Sequence, residues 1–528
     1  MTPPAAHTAE LIEFAASKWS DRVAVREEHF SLTFGQLLQH VRWATAGLLT
    51  RGVQPGARVA IWAPNRWEWI VAALATHYLG GTLITLNTRY RGHEAAQILR
   101  LSGASALITA GEFLGVDYPA LLANEDCGAL SLSVVLDDPA EDGFSTLLKE
   151  GREALTEPTS AISQALLSAR NAVSSDDLSD ILFTSGTTGA PKGVMTTHGQ
   201  NLRAFATFAE LLGLNESDRY LIINPFFHSF GYKAGWLACL LVGAETHPMP
   251  VLDVDALINR IETHQITCMP GPPTLFHSIL SHPGLNPSRL ASLTKATTGA
   301  AVIHRQLIVD MRTVLGIETV ITAYGLSETC GLVTMCRRGD DANTIASTSG
   351  RAIPGVEVAI VGKTGEHLAP GETGEIVVRG YNVMRGYLRD PVATQHTIDE
   401  EGWLHTGDIG SLDGQGNLSI TDRLKDMYIS GGFNCYPAEI EQLLTRYPGI
   451  SEAAIVGQPD DRLGEIGIAF VVASGAERPD TREIISWCRD QMANYKIPRE
   501  IRWVDALPIN ASGKVLKTTL REMLQTSQ

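Results

Sequence analysis

Apolar residues recur at two spacings along this chain, and the two spacings alternate. In TFGQLLQHVRWATAGLLTRG (residues 33–52) they fall three and four apart and stop at a glycine, which predicts a helix; ARVAIWA (57–63) reads as a strand. The tract from Trp67 predicts the next helix and TLITLN (82–87) the next strand. This rhythm recurs from about Asp180 to Tyr324 and predicts an α/β fold, a largely parallel sheet covered by helices. From Gly350 to about Ile420 the pattern changes to short glycine-punctuated strands, GVEVAIVG, GEIVVRG and GNLSITD, and predicts a small β-rich unit. Between Ala140 and Ser175 an Ala/Ser/Glu-rich stretch predicts surface helices and loops.

After Asp422–Lys425 the pattern restarts. PAEIEQLLTRY opens with Pro437 and acidic residues in its first turn, a favourable helix start. Strand-like EAAIVG and GIAFVVA, helix-like REIISWCRDQM and strand-like EIRWVD follow, enough for a small α+β domain over 424–528 behind a large one over 1–423. The longest apolar tract, Trp69–Leu86, is interrupted by Thr76, His77, Gly80 and Gly81, and reads as a buried helix and a strand instead of a membrane span.

Composition narrows the function classes. The 528 residues carry a formal net charge of −16, which argues against nucleic acid or an anionic membrane as the main partner. The first residues, MTPPAAHTAE, show neither a basic nor an apolar signal region, so a cytoplasmic location is expected. The seven cysteines are scattered without a C-x-x-C pair and read as free buried thiols, and the fifteen histidines form no H-E-x-x-H, so a metal site built from protein ligands alone is not expected.

The chemistry concentrates in FTSGTTGAPKGV, Phe183–Val194. Apolar SDILFTSG leads straight into it, so it reads as a strand feeding a donor-rich turn suited to phosphate oxygens. Pro191 before Lys192 and Gly193 after it argue against a P-loop of the G-x-x-x-x-G-K-[ST] kind. A solvated linker is a poor reading too, because apolar runs flank the loop on both sides.

Four further stretches follow in order: YGLSET (324–329), GWLHTGD (402–408), DRLKDM (422–427) and INASGKVLK (509–517). With them the chain resembles, over nearly its full length, the adenylate-forming superfamily of acyl-CoA synthetases, peptide-synthetase adenylation domains and luciferases. The wording of NPFFHSFGYKAG, MPGPPT and RLKDMYISGGFN is most similar to actinobacterial-type synthetases that activate the propanoate side chain of partly degraded steroid rings.

The resemblance implies ATP, Mg²⁺ and coenzyme A as cofactors or co-substrates, a carboxylic acid as partner, and a small mobile C-terminal domain. It implies that Thr184, Ser185, Gly186, Thr187, Thr188, Gly189 and Lys192 cover the β- and γ-phosphates. Glu328 would hold Mg²⁺, since a hard cation beside phosphates takes carboxylate oxygen, and Ser327 would offer its hydroxyl to the α-phosphate where many members carry Thr. Tyr324, next to Gly325, would stack on adenine with Gly299, Ala300 and Ala301 on the other side, and Asp408, assisted by Arg423, would accept the ribose hydroxyls.

Lys514 is implied as the catalytic lysine bridging substrate carboxylate and α-phosphate; Lys517 after it carries no such role. Lys425 matches the hinge, and Ser430, Gly431 and Gly432 the thiol tunnel, where glycine permits close approach. His228 matches a gate between acyl pocket and tunnel, Phe230 and Ala234 the pocket wall, and Lys233 is expected to face outward, solvated or salt-bridged.

Other readings share these motifs: a generic medium- or long-chain fatty acyl or aryl ligase, an enzyme loading a carrier protein in trans, a luciferase-type oxygenase, or a nucleotide-binding protein without catalysis. The last would need Lys514, Glu328 or Asp408 lost, and all three stand. The identity of the acid is not legible, and a homodimer is left open.

Overall fold

The computed structural model describes residues 2–138, 143–184, 191–299, 303–423, 426–430, 433–435, 437–460, 463–475, 477–492, 494–510 and 514–525. Of the expected site residues, Ser185, Gly186, Thr187, Thr188, Gly189, Ala300, Ala301, Lys425, Gly431 and Gly432 lie outside these.

The alternating pattern produces two seven-stranded sheets. In the first, Thr82–Thr85, Arg58–Trp62, Ala106–Thr109 and Leu132–Val135 run parallel, and Leu178–Thr184 joins parallel to Thr82–Thr85. Its central strands are buried almost throughout, as expected where helices cover both faces. Two antiparallel strands then extend the edge: Lys192–Thr197 beside Leu178–Thr184, and Gly386–Tyr387 outermost. In the second sheet Thr319–Ile321, Lys295–Thr298, Cys268–Gly271, Arg219–Ile222, Glu245–Pro248 and Val23–Arg26 are successive parallel neighbours. The fold class is therefore the expected α/β.

The helix over Phe34–Thr50 starts in a capping box between Thr33 and Gln36. The helix Trp67–Tyr78 buries all but its first residue, which is why its sequence is apolar all round. No helix among the described residues is long and apolar enough to cross a membrane. All seven cysteines are free, Cys127 half-buried and the other six buried.

Two expectations need correction. The stretch over 140–175 is more than surface material: Phe144 and Leu147 of the helix Phe144–Ala154 are buried. That helix crosses Phe34–Thr50 so closely that a Cβ on Gly151 would lie 1.8 Å from the Trp43 carbonyl oxygen, and one on Gly47 2.4 Å from that of Leu147. The β-rich region is also not contiguous. Val356–Val361, Gly374–Gly380, Leu404–Leu412 and Leu418–Arg423 form a four-stranded sheet, but Gly386–Tyr387 leaves it to pair with Lys192–Thr197. Edge pairing has no period in the sequence, so apolar alternation alone does not reveal it.

By backbone proximity the chain divides into two compact units. The first takes most of the chain up to Glu357 together with Arg379–Leu404, the second Val358–Val378 and the chain from His405 onward. In the second, Gly464–Ala473 pairs antiparallel with Ile450–Asp460 and parallel with Glu500–Val504. Alternation sorts its side chains onto two faces. Ile455, Ala469 and Val471 pack with Ile440, Leu444 and Ile484, while Val456, Ile468 and Phe470 pack with Leu520 and Leu524 of the helix Lys517–Gln525. That last helix was not expected. Its Lys517 pairs with Glu441 at 2.8 Å, a structural role.

Candidate active site

The strand Leu178–Thr184 turns back as Lys192–Thr197, with Thr184 and Lys192 directly opposed across the ladder, so the donor-rich loop is held at its stem by an antiparallel pair. Buried behind this stem is a charged cluster. Asp180 accepts from the Thr196 hydroxyl at 2.8 Å, from the Ser179 hydroxyl at 2.6 Å and from the Asn201 amide at 2.6 Å. Lys233 completes it: its Nζ lies 2.9 Å from Asp180 Oδ1 and 3.0 Å from Thr196 Oγ1, with both charged side chains at most 1% exposed. The outward-facing lysine expected at this position is thus overturned, because a deeply buried carboxylate demands a buried cation.

Tyr324 to Gly331 forms a compressed turn. Ala323–Tyr324 is a strand, Ser327–Thr329 a single 3₁₀ turn, and Cys330 and Gly331 both adopt positive φ, 58° and 98°. A Cβ on Gly325 would lie 2.3 Å from the Gly331 carbonyl carbon, so only glycine fits there. The turn presents Glu328 half-buried, and the outermost strand of the first sheet reaches it. The Met384 N–H donates to the Glu328 carbonyl at 2.8 Å, and the Tyr387 hydroxyl donates to Glu328 Oε1 at 2.9 Å. Lys192 Nζ sits 4.9 Å from the centroid of the same ring. Burial, then the neighbouring Glu328 charge, push the Tyr387 hydroxyl well above its usual pKa, so it stays a donor.

Among the described residues no group of three or more His, Cys, Asp or Glu side chains is arranged to hold a metal. A cation at Glu328 would take its remaining ligands from phosphate oxygens and water, the way Mg²⁺ is commonly held beside a nucleotide, so the lone carboxylate fits that ion.

Gly299 follows the strand Lys295–Thr298, and a Cβ there would lie 3.4 Å from Thr322 Oγ1, which puts Gly299 against the segment that leads into the mostly buried Tyr324. The segment NPFFHSFG folds back on itself: a Cβ on Gly231 would lie 2.2 Å from the Pro225 carbonyl oxygen. His228 is exposed and caps the short helix Ser229–Gly231, its Nδ1 accepting from the Phe230 N–H at 3.2 Å. Ser229 meets the acidic turn, since a Cβ on Gly331 would come within 3.0 Å of the Ser229 Cβ. Phe230 is half-buried, 6.4 Å from Phe208 between ring centroids. Ala234 is buried in a π-helical stretch, Tyr232–Leu237, broken at Gly235. Such stretches are frequent at functional sites.

In the second unit Asp408 is buried and directly opposes Arg423 in the ladder of Leu404–Leu412 and Leu418–Arg423. Ser430 is buried at the end of Tyr428–Ser430. Lys514 is exposed and bonded twice to Asn510, whose Oδ1 accepts from the Lys514 N–H at 2.9 Å while its own N–H donates to the Lys514 carbonyl at 2.8 Å.

The AMP-binding enzyme family matches residues 12–388, and the AMP-binding enzyme C-terminal domain matches residues 439–514. The chain belongs to the AMP-binding enzymes. It is 48% identical over 504 residues, covering 95% of this chain and 96% of the relative, to a methyl-dioxo-octahydroindenyl propanoyl:CoA ligase of Mycobacterium tuberculosis. It is 46% identical over 527 residues to the enzyme of the same name from Rhodococcus jostii, covering 99% of both. Among solved structures it is similar to o-succinylbenzoate CoA synthetase of Bacillus subtilis in complex with its acyl-adenylate, with TM-score 0.81, 28% identity and 97% of both chains covered.

In this AMP-binding enzyme three residues escaped the reading of the sequence. Tyr387 joins Lys192 to Glu328, and nothing periodic marks it. Lys233 gave a signal, a charge in an apolar run, but its partner is distant in sequence. Asn65 donates to the Asn224 carbonyl at 2.9 Å and accepts from the Phe226 N–H at 2.7 Å, clamping the segment that carries His228. A single buried asparagine in APNR carries no sequence signature.

Proposed function

We propose that this AMP-binding enzyme is an ATP-dependent carboxylate–CoA ligase that works through an acyl-adenylate and takes a short alkanoic acid borne on a fused ring system. The observation that carries the substrate class is identity of 46% and 48% over nearly the whole chain to two relatives named as ligases of a bicyclic propanoate. A carboxylate is a poor acyl donor because its leaving group would be oxide. Attack of its oxygen on the α-phosphorus displaces pyrophosphate and installs AMP, and attack of the CoA thiolate on the acyl carbon then releases AMP.

The catalytic demand is electrostatic, since two anions must meet and charge builds on the α-phosphorus. In this reading Lys192 and Thr184, with the loop 185–189, hold the β- and γ-phosphates. Ser327 contacts the α-phosphate, Tyr324 and Gly299 flank adenine, and Asp408 with Arg423 holds ribose. Glu328 holds Mg²⁺, which would supply positive charge to the phosphates. Lys514 bridges carboxylate and α-phosphate in the first half-reaction. The domain 424–528 turns about Lys425 for the second, and Ser430, Gly431 and Gly432 admit the thiol past His228. Phe230 and Ala234 face the ring of the acid.

ATP–pyrophosphate exchange over a panel of acids, followed by mass detection of the CoA thioester, tests the reading. Ring-bearing propanoates are expected to give the highest kcat/KM, falling gradually across related acids, because an apolar pocket discriminates one methylene by only about 1–3 kcal/mol. Palmitate or acetate exceeding every ring-bearing propanoate by about tenfold, roughly 1.4 kcal/mol in the barrier, overturns the substrate class and leaves the ligase. Absence of thioester with CoA, alongside strong exchange, overturns the acceptor.

A further inference from the structure

Two groups assigned to ATP meet one phenol, one at its hydroxyl and one at its ring. Glu328 and Lys192 carry opposite charges, yet among the described residues they form no ion pair with each other. Tyr387 contacts both: its hydroxyl donates to Glu328 Oε1 at 2.9 Å, and its ring receives Lys192 Nζ at 4.9 Å from the centroid. A phenol suits this place because its polar tip serves an anion while its negative face serves a cation. A direct Lys–Glu pair would neutralise both groups and would have to break before either could meet phosphate or metal.

The phenol is itself held on every side. It is 8% exposed and packs with Val194, Met384 and Leu404. Its backbone opposes Val194 in the ladder; the Leu388 N–H donates to the Gly193 carbonyl at 2.7 Å, and the Arg385 N–H to the Met195 carbonyl at 2.9 Å. The Tyr387 N–H donates to Thr394 Oγ1 at 2.9 Å. Lys192 opens the same strand that Tyr387 pairs with, and the Met384 N–H donates to the Glu328 carbonyl, so one short segment around the edge strand registers both functional segments.

We propose that Tyr387 is a positioning residue that presets the Glu328 carboxylate and the Lys192 ammonium as separate, unneutralised charges for the metal–nucleotide complex. This rests on the reading of Glu328 as the metal-holding and Lys192 as the phosphate-holding group. Tyr387→Phe keeps the ring beneath Lys192 and removes only the donor to Glu328; Tyr387→Leu removes both.

The test is direct binding of Mn²⁺, followed by its electron paramagnetic resonance signal, in the presence of an ATP analogue with a methylene-bridged β–γ link, with thermal melting as the fold control. Y387F is expected to weaken Mn²⁺ binding about tenfold, the loss of one hydrogen bond to a charged group, while metal-free binding of the analogue and the melting temperature stay as in the wild type. Y387L is expected to weaken analogue binding as well. Glu328→Gln separates the two ideas. If E328Q loses Mn²⁺ affinity and Y387F does not, the positioning role is overturned and the reading of Glu328 stands. If E328Q binds Mn²⁺ like the wild type, the reading of Glu328 falls and takes the proposal with it.

Discussion

An exposed lysine and a histidine sealed in the core show how differently single residues act here. Lys514 lies exposed, its backbone bonded to the main chain and side chain of Asn510. If it contacts the transition state of adenylation alone, Lys514→Ala should slow that half-reaction on the order of a thousandfold, as loss of a charge-assisted contact does. Thiolation of supplied acyl-adenylate should survive. Stopped-flow assays of the two steps check this, and equal damage to both would refute it.

His77 is fully buried, and its Nε2–H donates to the Ser179 carbonyl at 3.0 Å. Burial is the main cause that lowers its pKa from 6.5 to about 4; the Asp180 charge opposes the shift, and Lys233 adds to it. His198, 4.9 Å away between ring centroids, is lowered in the same direction. The unfolded chain therefore takes up a proton on this side chain near pH 6.5, whereas the folded one resists until about pH 4. Stability is fully present above pH 6.5 and is lost across that window as pH falls, by on the order of 3 kcal/mol from this group. Denaturant unfolding of the wild type and His77→Gln between pH 7 and 4 should show a shallower pH slope in the variant; parallel slopes would remove His77 as the cause.

At the scale of elements, the pair Lys233–Asp180 ties the π-helical stretch Tyr232–Leu237 to the strand that leads into the donor-rich loop. Lys233→Met should cost about 3–5 kcal/mol, because it leaves a buried, uncompensated carboxylate. Adding Asp180→Asn should recover much of that loss, and chemical unfolding of the single and double variants measures both. An unchanged double variant would mean the lysine stabilises by packing, not charge. Helices and parallel strands were legible in the sequence because each is written in a local period of apolar residues, as over Trp67–Tyr78 and Thr82–Thr85. The strand Gly386–Tyr387 and the helix Lys517–Gln525 were not: one is two residues long, the other short and polar along most of its length. The tight crossing at Gly47 and Gly151 was hidden because two glycines a hundred residues apart show nothing of each other in the sequence.

For the whole molecule, the proposed mechanism has the segment 424–528 change orientation about Lys425 between the two half-reactions. Proline fixes φ near roughly −65°, so Lys425→Pro should impair thiolation more than adenylation, the reverse of Lys514→Ala. Normal overall turnover with CoA would show that the hinge lies elsewhere. The sequence by itself determined the alternation of the main helices and strands, the α/β class and the family, because apolar periods are local and the donor-rich loop, the acidic turn and the lysine loop are each contiguous and carry their chemistry in a few adjacent residues. The tertiary structure alone decided that Tyr387 meets both Lys192 and Glu328, that Lys233 is buried against Asp180, and that Asn65 clamps the His228 segment. Each of these is a meeting of residues far apart in the chain, set by strand pairing and by the need to partner every buried charge and polar group. No local period records such a meeting.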